Sequence, residues 1–199
     1  MSARTLAAAV SLCLGFAAAM LPGTGAARDF TSVTNSERWT NVSGVAGRFF
    51  EARAGNDGGL FAIEVNERTD DPIEFRAYEN TLSSSSPNQS NVHDFKLDEK
   101  FPTGISKVSV GADHYITAVQ VCVKSDKIKG LRVWGKMLGT DGKPKNETDD
   151  SFTLPNCYAG KWYDKIECGP EKVVTGLRAH YTEWFKGFSG ISLRCAKLQ

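Results

Sequence analysis

The chain has 199 residues, with 24 Lys and Arg against 23 Asp and Glu and a formal net charge of +1. That balance excludes the basic field on which phosphate binding depends, so nucleic acid is not an expected partner. The length suits one globular domain with a sizeable core.

Residues 1–27 are read as a secretory signal peptide. Arg4 precedes the apolar run LAAAVSLCLGFAAAML, and the small residues TGAA lead to a cleavage site near Ala27. The run is too short for a membrane span, and no later segment is apolar enough for one. Removing the leader takes away Arg4 and leaves 23 basic against 23 acidic residues. The expected mature protein is therefore secreted, extracellular and neutral, a single domain over residues 28–199.

Cys13 departs with the leader, and Cys122, Cys157, Cys168 and Cys195 remain. An even number of cysteines in a secreted chain predicts two disulfides. There is no CxxC or paired-His spacing, and His93, His114 and His180 are scattered, so no metal site is predicted. Asn41, Asn88 and Asn146 each head an Asn-x-Ser/Thr sequon, which marks surface loops if the chain is glycosylated.

Internal repeats decide the architecture. Residues 51–65 (EARAGNDGGLFAIEV) match 107–121 (KVSVGADHYITAVQV) at a shift of 56, and 165–179 (KIECGPEKVVTGLRA) at a further 58, without a gap. A glycine recurs at Gly55, Gly111 and Gly169, read as a turn position needing positive φ. Inward apolar positions recur as Ile63, Val119 and Leu177, then as Val65, Val121 and Ala179. A second strand follows each loop: IEFRAY from Ile73, LRVWGK from Leu131 and ISLRCA from Ile191. Each repeat also has a weaker strand candidate upstream, near Trp39, Phe95 and Phe152. The polar stretches 80–92 and 139–151 read as loops, surface connections and not domain linkers, because the repeats they join need one another. The prediction is an all-β fold, a β-prism of three small antiparallel sheets with pseudo-threefold symmetry and strand pairs near 51–79, 107–137 and 165–197. One hairpin alone is marginal in water, so the three must share a core.

Three connectivities are open to four cysteines. Cys168 aligns with inward Val110, and Cys195 is in phase with inward Leu193, which favours Cys168–Cys195. Cys122 is out of phase with Val121 and points outward, toward Cys157.

Strands of the form Ile116-Thr117-Ala118-Val119-Gln120-Val121, with residues 127–135 (KIKGLRVWG), resemble those of the β-prism proteins. The loop Gly160-Lys161-Trp162-Tyr163-Asp164 resembles the G-x-W-x-D sugar loop of jacalin-type lectins. Cys168-Gly169-Pro170, Gly176 and Gly190-Ile191-Ser192-Leu193-Arg194-Cys195 are similar to the repeat pattern of vitelline membrane outer layer proteins. The resemblance covers roughly residues 51–198. It implies a sugar-binding function in the first case and an extracellular coat in the second.

No nucleophile motif, P-loop or dinucleotide fingerprint is present, and no catalytic residue or cofactor is predicted. Asp70-Asp71 and Asp149-Asp150 read as solvated turn residues. Two stretches stand out. The loop with Gly160, Trp162 and Asp164 offers an aromatic face, an acid for hydroxyl groups and a glycine that exposes backbone N–H groups. Its alternative reading makes Trp162 the core-facing start of the strand ahead of Ile166. The tip of the third hairpin carries Trp184, Phe185 and Phe188, which stack on a glycan, dip into a membrane interface or cap one end of the prism. The expected function is a non-catalytic, lectin-like carbohydrate-binding protein whose partners are glycans or cell-surface glycoconjugates. The alternatives are a coat protein and a membrane-acting, toxin-like protein.

Overall fold

The computed structural model describes residues 30–33, 35–69, 71–82, 89–97, 101–111, 114–153, 155–183 and 187–199. The expected leader 1–27, Asp70, Asn88, Trp184 and Phe185 lie outside the described residues. In chain order the strands are β1 (Arg38–Trp39), β2 (Ser43–Gly44), β3 (Arg48–Arg53), β4 (Gly58–Arg68), β5 (Asp71–Thr81), β6 (Gln89–Lys96) and β7 (Gly104–Ser109). There follow β8 (His114–Lys124), β9 (Lys127–Leu138), β10 (Pro144–Thr153), β11 (Lys161–Trp162), β12 (Ile166–Glu167), β13 (Lys172–Thr182) and β14 (Gly187–Lys197).

These strands make three antiparallel sheets. The first runs β6-β5-β4-β7 and the second β10-β9-β8, with β11 and β12 both on β8. The third runs β1-β14-β13-β3, with β2 also on β14. Each is centred on one long hairpin, and the alternating apolar residues of the three hairpins turn toward one axis. Ile63, Phe75, Val119, Leu131, Leu177 and Ile191 meet there, all fully buried. The fold is an all-β β-prism with pseudo-threefold symmetry.

The repeat is exact in the first strand of each hairpin. β4, β8 and β13 are each 11 residues long, and each carries a bulge at the same place: Leu60/Ala62, Ile116/Ala118 and Val174/Gly176. The extra residue reverses the side-chain alternation. The residues before it therefore serve a second cluster at one end of the prism, where Tyr115 and Val173 pack with Phe30, Leu82 and Leu138.

Four expectations need correction. Of the three recurring glycines only Gly111 has a positive φ (95°); in the third repeat Glu171 takes the left-handed conformation (φ 64°) in place of Gly169. The weaker strands near Phe95 and Phe152 belong to the preceding sheets, since β6 pairs with β5 and β10 with β9. Residues 80–92 and 139–151 include strand ends and much of β10, and Asp71, Asp149 and Asp150 are strand residues. The polarity of β6 and β10 reflects edge position, where one strand face meets water. Finally, the register places Phe75, not Ile73, opposite Leu131 and Ile191 in the repeat. Ala77 faces Ile63 as Val133 faces Val119 and Leu193 faces Leu177. Polar residues at the ends of the strands hid a two-residue offset.

The strand before each hairpin joins the preceding sheet: β7 pairs with β4, β12 with β8, and β3 with β13. The sheets then meet along three seams. β6 reaches β3 through the stacked rings of Phe95 and Phe50, 5.6 Å apart. β10 reaches β7 through Asp150, whose Oδ2 accepts the Ser109 N–H at 2.9 Å. At the third seam the outer strand is reduced to the two-residue pieces β1 and β2, and a cleft of about 450 Å³ opens between Trp39 and Ile166. The Cys168–Cys195 disulfide crosses this seam from the end of β12 to β14.

Candidate functional site

The loop singled out by sequence lies on the outer face of the second sheet. The second disulfide, Cys122–Cys157, ties the 3₁₀ turn Pro155–Ala159 to β8. Gly160 packs directly on it, since a Cβ there would stand 2.7 Å from the Cys122 Sγ. The Gly160 N–H is spent on the Cys157 carbonyl (2.8 Å), so the glycine serves close packing and offers no free donor. Trp162 pairs with outward Cys122, whereas Ile166 pairs with inward Val119. The chain thus changes phase between them, and Trp162 does not face the core. Tyr163 packs against the core, and the Gln120 amide donates to its carbonyl at 2.8 Å. Asp164 is exposed.

The same outer-face positions differ from sheet to sheet. In the first sheet Arg76 stands among three carboxylates, in ion pairs with Glu64 Oε1 at 3.2 Å, Glu74 Oε1 at 3.1 Å and Asp94 Oδ1 at 2.9 Å. Tyr78 donates its hydroxyl to Glu64 at 2.7 Å, and burial together with that bond pushes its pKa up to about 12. Burial alone would raise the Glu74 carboxyl, but the Asn66 hydrogen bond and the charges of Arg76 and Lys96 outweigh it and hold the group below its ordinary value. In the third sheet Arg178 bonds Glu51 at 2.7 Å and lies over the Trp39 ring at 3.9 Å, and Arg194 pairs with Glu37. Both faces are closed by their own charges.

In the second sheet the register brings Gln120 where the first has Glu64, Arg132 where it has Arg76, Trp134 where it has Tyr78, and Ser151 where it has Asp94. Gly130 stands at the Glu74 position, and the space is taken by Trp162, whose Cη2 lies 3.1 Å from where a Cβ would be. Arg132 lies over the Trp162 ring at 4.3 Å, and Lys165 over the Trp134 ring at 4.2 Å. Among the described residues no carboxylate pairs with Arg132. The result is an open row of Trp162, Arg132 and Trp134, bordered by Gln120, Ser151 and Asp149. Lys165 continues from this row into the third-seam cleft, whose walls carry Arg38, Trp39, Asn41 and Glu167.

Sequence reasoning missed Trp134, Arg132 and Gln120. The corrected repeat alignment carries the signal, as it sets Trp134 against Tyr78 and Arg132 against a salt-bridged arginine. The hairpin tip also needs correction. Phe188 is fully buried against Phe50 and Phe75, so it belongs to the core, while Trp184 and Phe185 lie outside the described residues. His180 is buried on the third sheet, with Nε2 3.1 Å from Ser192 Oγ and Nδ1 3.3 Å from the Gly47 carbonyl. Burial, with the Arg178 charge, lowers its pKa against the opposing bond to Gly47. Asn41 and Asn146 are exposed. Among the described residues no group of three His, Cys, Asp or Glu side chains is placed to hold a metal ion, and no helix is long and apolar enough to cross a membrane.

No family model matches the chain, and no curated protein matches it in sequence. Solved structures similar to it include the agglutinin of Calystegia sepium, at 15% identity over 80% of this chain and 98% of that one, with a TM-score of 0.44. AcmJRL, a mannose-binding jacalin-related lectin from Ananas comosus, is 7% identical over 81% of this chain and 99% of that one, with a TM-score of 0.43. The V. cholerae biofilm matrix protein Bap1 is 9% identical over 83% of this chain but only 24% of its own, with a TM-score of 0.46. The similarity is one of outline, and no residue role is carried over from these proteins.

Proposed function

We propose that this is a secreted, non-catalytic carbohydrate-binding protein whose site is the outer face of the second sheet. The observation that carries the reading is the pair Trp162 and Trp134 on one face, beside the hydrogen-bonding groups of Arg132, Gln120, Ser151 and Asp149. Indole rings meet the apolar C–H faces of pyranose rings, and the flanking groups serve the hydroxyls. Trp162 and Trp134 are four residues apart in register along β8 and lie on strands to either side of it, about 16 Å apart at ordinary strand spacing. An oligosaccharide of a few units spans that distance. Displacing an exposed cation from an indole costs about 0.5–1 kcal/mol, so the stacked Arg132 and Lys165 do not bar a ligand. Secretion is supported by the N-terminal apolar segment and by the two disulfides.

A glycan array with the oxidised protein, residues 28–199, beside its Trp162→Ala and Trp134→Ala variants, tests this. Binding to a defined glycan class that either variant loses, with an unchanged melting temperature, is expected. Absence of binding to any glycan refutes it.

A further inference from the structure

We infer that the saccharide bound by the second sheet is acidic, with a carboxylate that Arg132 holds; this rests on the carbohydrate-binding reading of that face. In the first sheet the outer-face arginine, Arg76, is ringed by Glu64, Glu74 and Asp94, all within 3.2 Å. The second sheet keeps the arginine and loses all three acids, which become Gln120, Gly130 and Ser151.

The replacements are directed. Gln120 turns its amide to the Tyr163 carbonyl, Gly130 yields its space to the Trp162 ring, and Ser151 offers only a neutral hydroxyl. Arg132 is left exposed, supported on one side by the indole at 4.3 Å. A guanidinium held this way keeps its in-plane N–H groups available for a bidentate partner, and a carboxylate matches that fork. The acids that remain nearby do not fill the position. Asp149 and Glu167 stand opposite Trp134 and Ala118, Asp164 lies beyond Trp162, and Glu167 approaches Lys165 at 3.8 Å. A hexuronate places an apolar ring face on Trp134, in place of Lys165, and a carboxylate at its rim toward Arg132, which keeps its seat on Trp162. That combination would restore to Arg132 what Arg76 has from its own chain.

The test compares galacturonate, guluronate, mannuronate and glucuronate oligosaccharides with their carboxyl-reduced counterparts by titration calorimetry. Binding of at least one uronate series should be about tenfold or more tighter than that of its neutral form, the range for a charged hydrogen-bonded pair. Ser151→Asp, which reinstates the first sheet's Asp94 opposite Arg132 at an exposed position, should abolish that preference while the protein keeps its melting temperature. Arg132→Gln should do the same. Equal affinity for acidic and reduced forms overturns the inference, as does a preference that survives both variants. If neutral glycans bind at Trp134 and Trp162 without such a preference, only this inference falls. If neither kind of saccharide binds, the carbohydrate-binding reading falls with it.

Discussion

Removing the Cys168–Cys195 disulfide by a Cys168→Ala, Cys195→Ala double substitution should cost about 3.5 kcal/mol. The bridge closes a loop of 27 residues, and the loss of unfolded-chain entropy for a loop of that length is close to this figure. For a domain of this size each kcal/mol moves the melting temperature by about 2–4 °C, so the midpoint should fall by roughly 7–14 °C. The Cys122–Cys157 bridge closes 35 residues, and the same reasoning gives a loss only about 0.2 kcal/mol larger. The two double variants should therefore melt together. They should differ in where protection is lost. Cys168–Cys195 crosses the third seam, where the outer strand is broken into β1 and β2, whereas Cys122–Cys157 sits on one sheet. Calorimetry under oxidising conditions, with amide hydrogen exchange over residues 38–44 and 165–169, checks both points. A loss below about 1 kcal/mol, or unchanged exchange at the seam, would refute the view that this bridge holds it shut.

Other consequences follow from single positions. Gly44 has φ +102°, and a Cβ there would stand 2.4 Å from the Ser189 carbonyl oxygen and 2.8 Å from the Gly190 Cα. Because both obstacles are backbone, Gly44→Ala should cost more than about 2 kcal/mol in denaturant unfolding, and a loss under 1 would contradict the packing of β2 on β14. Phe188→Ala should cost about 3–5 kcal/mol by urea titration if the ring fills the core between Phe50 and Phe75, and almost nothing if it caps an exposed tip. His180 is held neutral by burial, so its folded pKa lies below its unfolded value near 6.5. The unfolded chain then takes up a proton first, and the stability from His180 is complete above that value and declines as the pH falls below it. The slope is at most about 1.4 kcal/mol per pH unit. A parallel pH series with His180→Gln isolates the effect; identical pH dependence in the two proteins would exclude it.

The fold was legible because its signal is repeated. Ile63, Val119 and Leu177 alternate with polar neighbours at fixed shifts, and three such hairpins have one way to bury three faces. The strand exchange between sheets was not legible. β6, β7 and β10 are edge strands whose polarity resembles that of a loop, and nothing local in residues 104–109 says that they pair backward with β4. For the candidate site, Trp162 was visible as an aromatic beside glycine and acid, but strand parity counted through residues 163–165 pointed it the wrong way. The phase change there depends on a disulfide and on Gln120, both distant in sequence. Trp134 and Arg132 were in view throughout. An alignment that sets Ile73 against Leu131 conceals that Arg132 is the counterpart of the thrice-paired Arg76.

The handing of strands from one sheet to the next bears on how the chain is made. β1, β2 and β3 find their partners only in β13 and β14, so residues 38–53 leave the ribosome more than a hundred residues before the strands that complete their sheet. The first two sheets have nearer partners and can assemble during synthesis, while the N-terminal arm waits with open edges. Closing so long a loop is costly before any contact repays it, so the last sheet is expected to be the slow step of folding. It is also the stage at which an unpaired arm is most exposed to the matching strands of another copy.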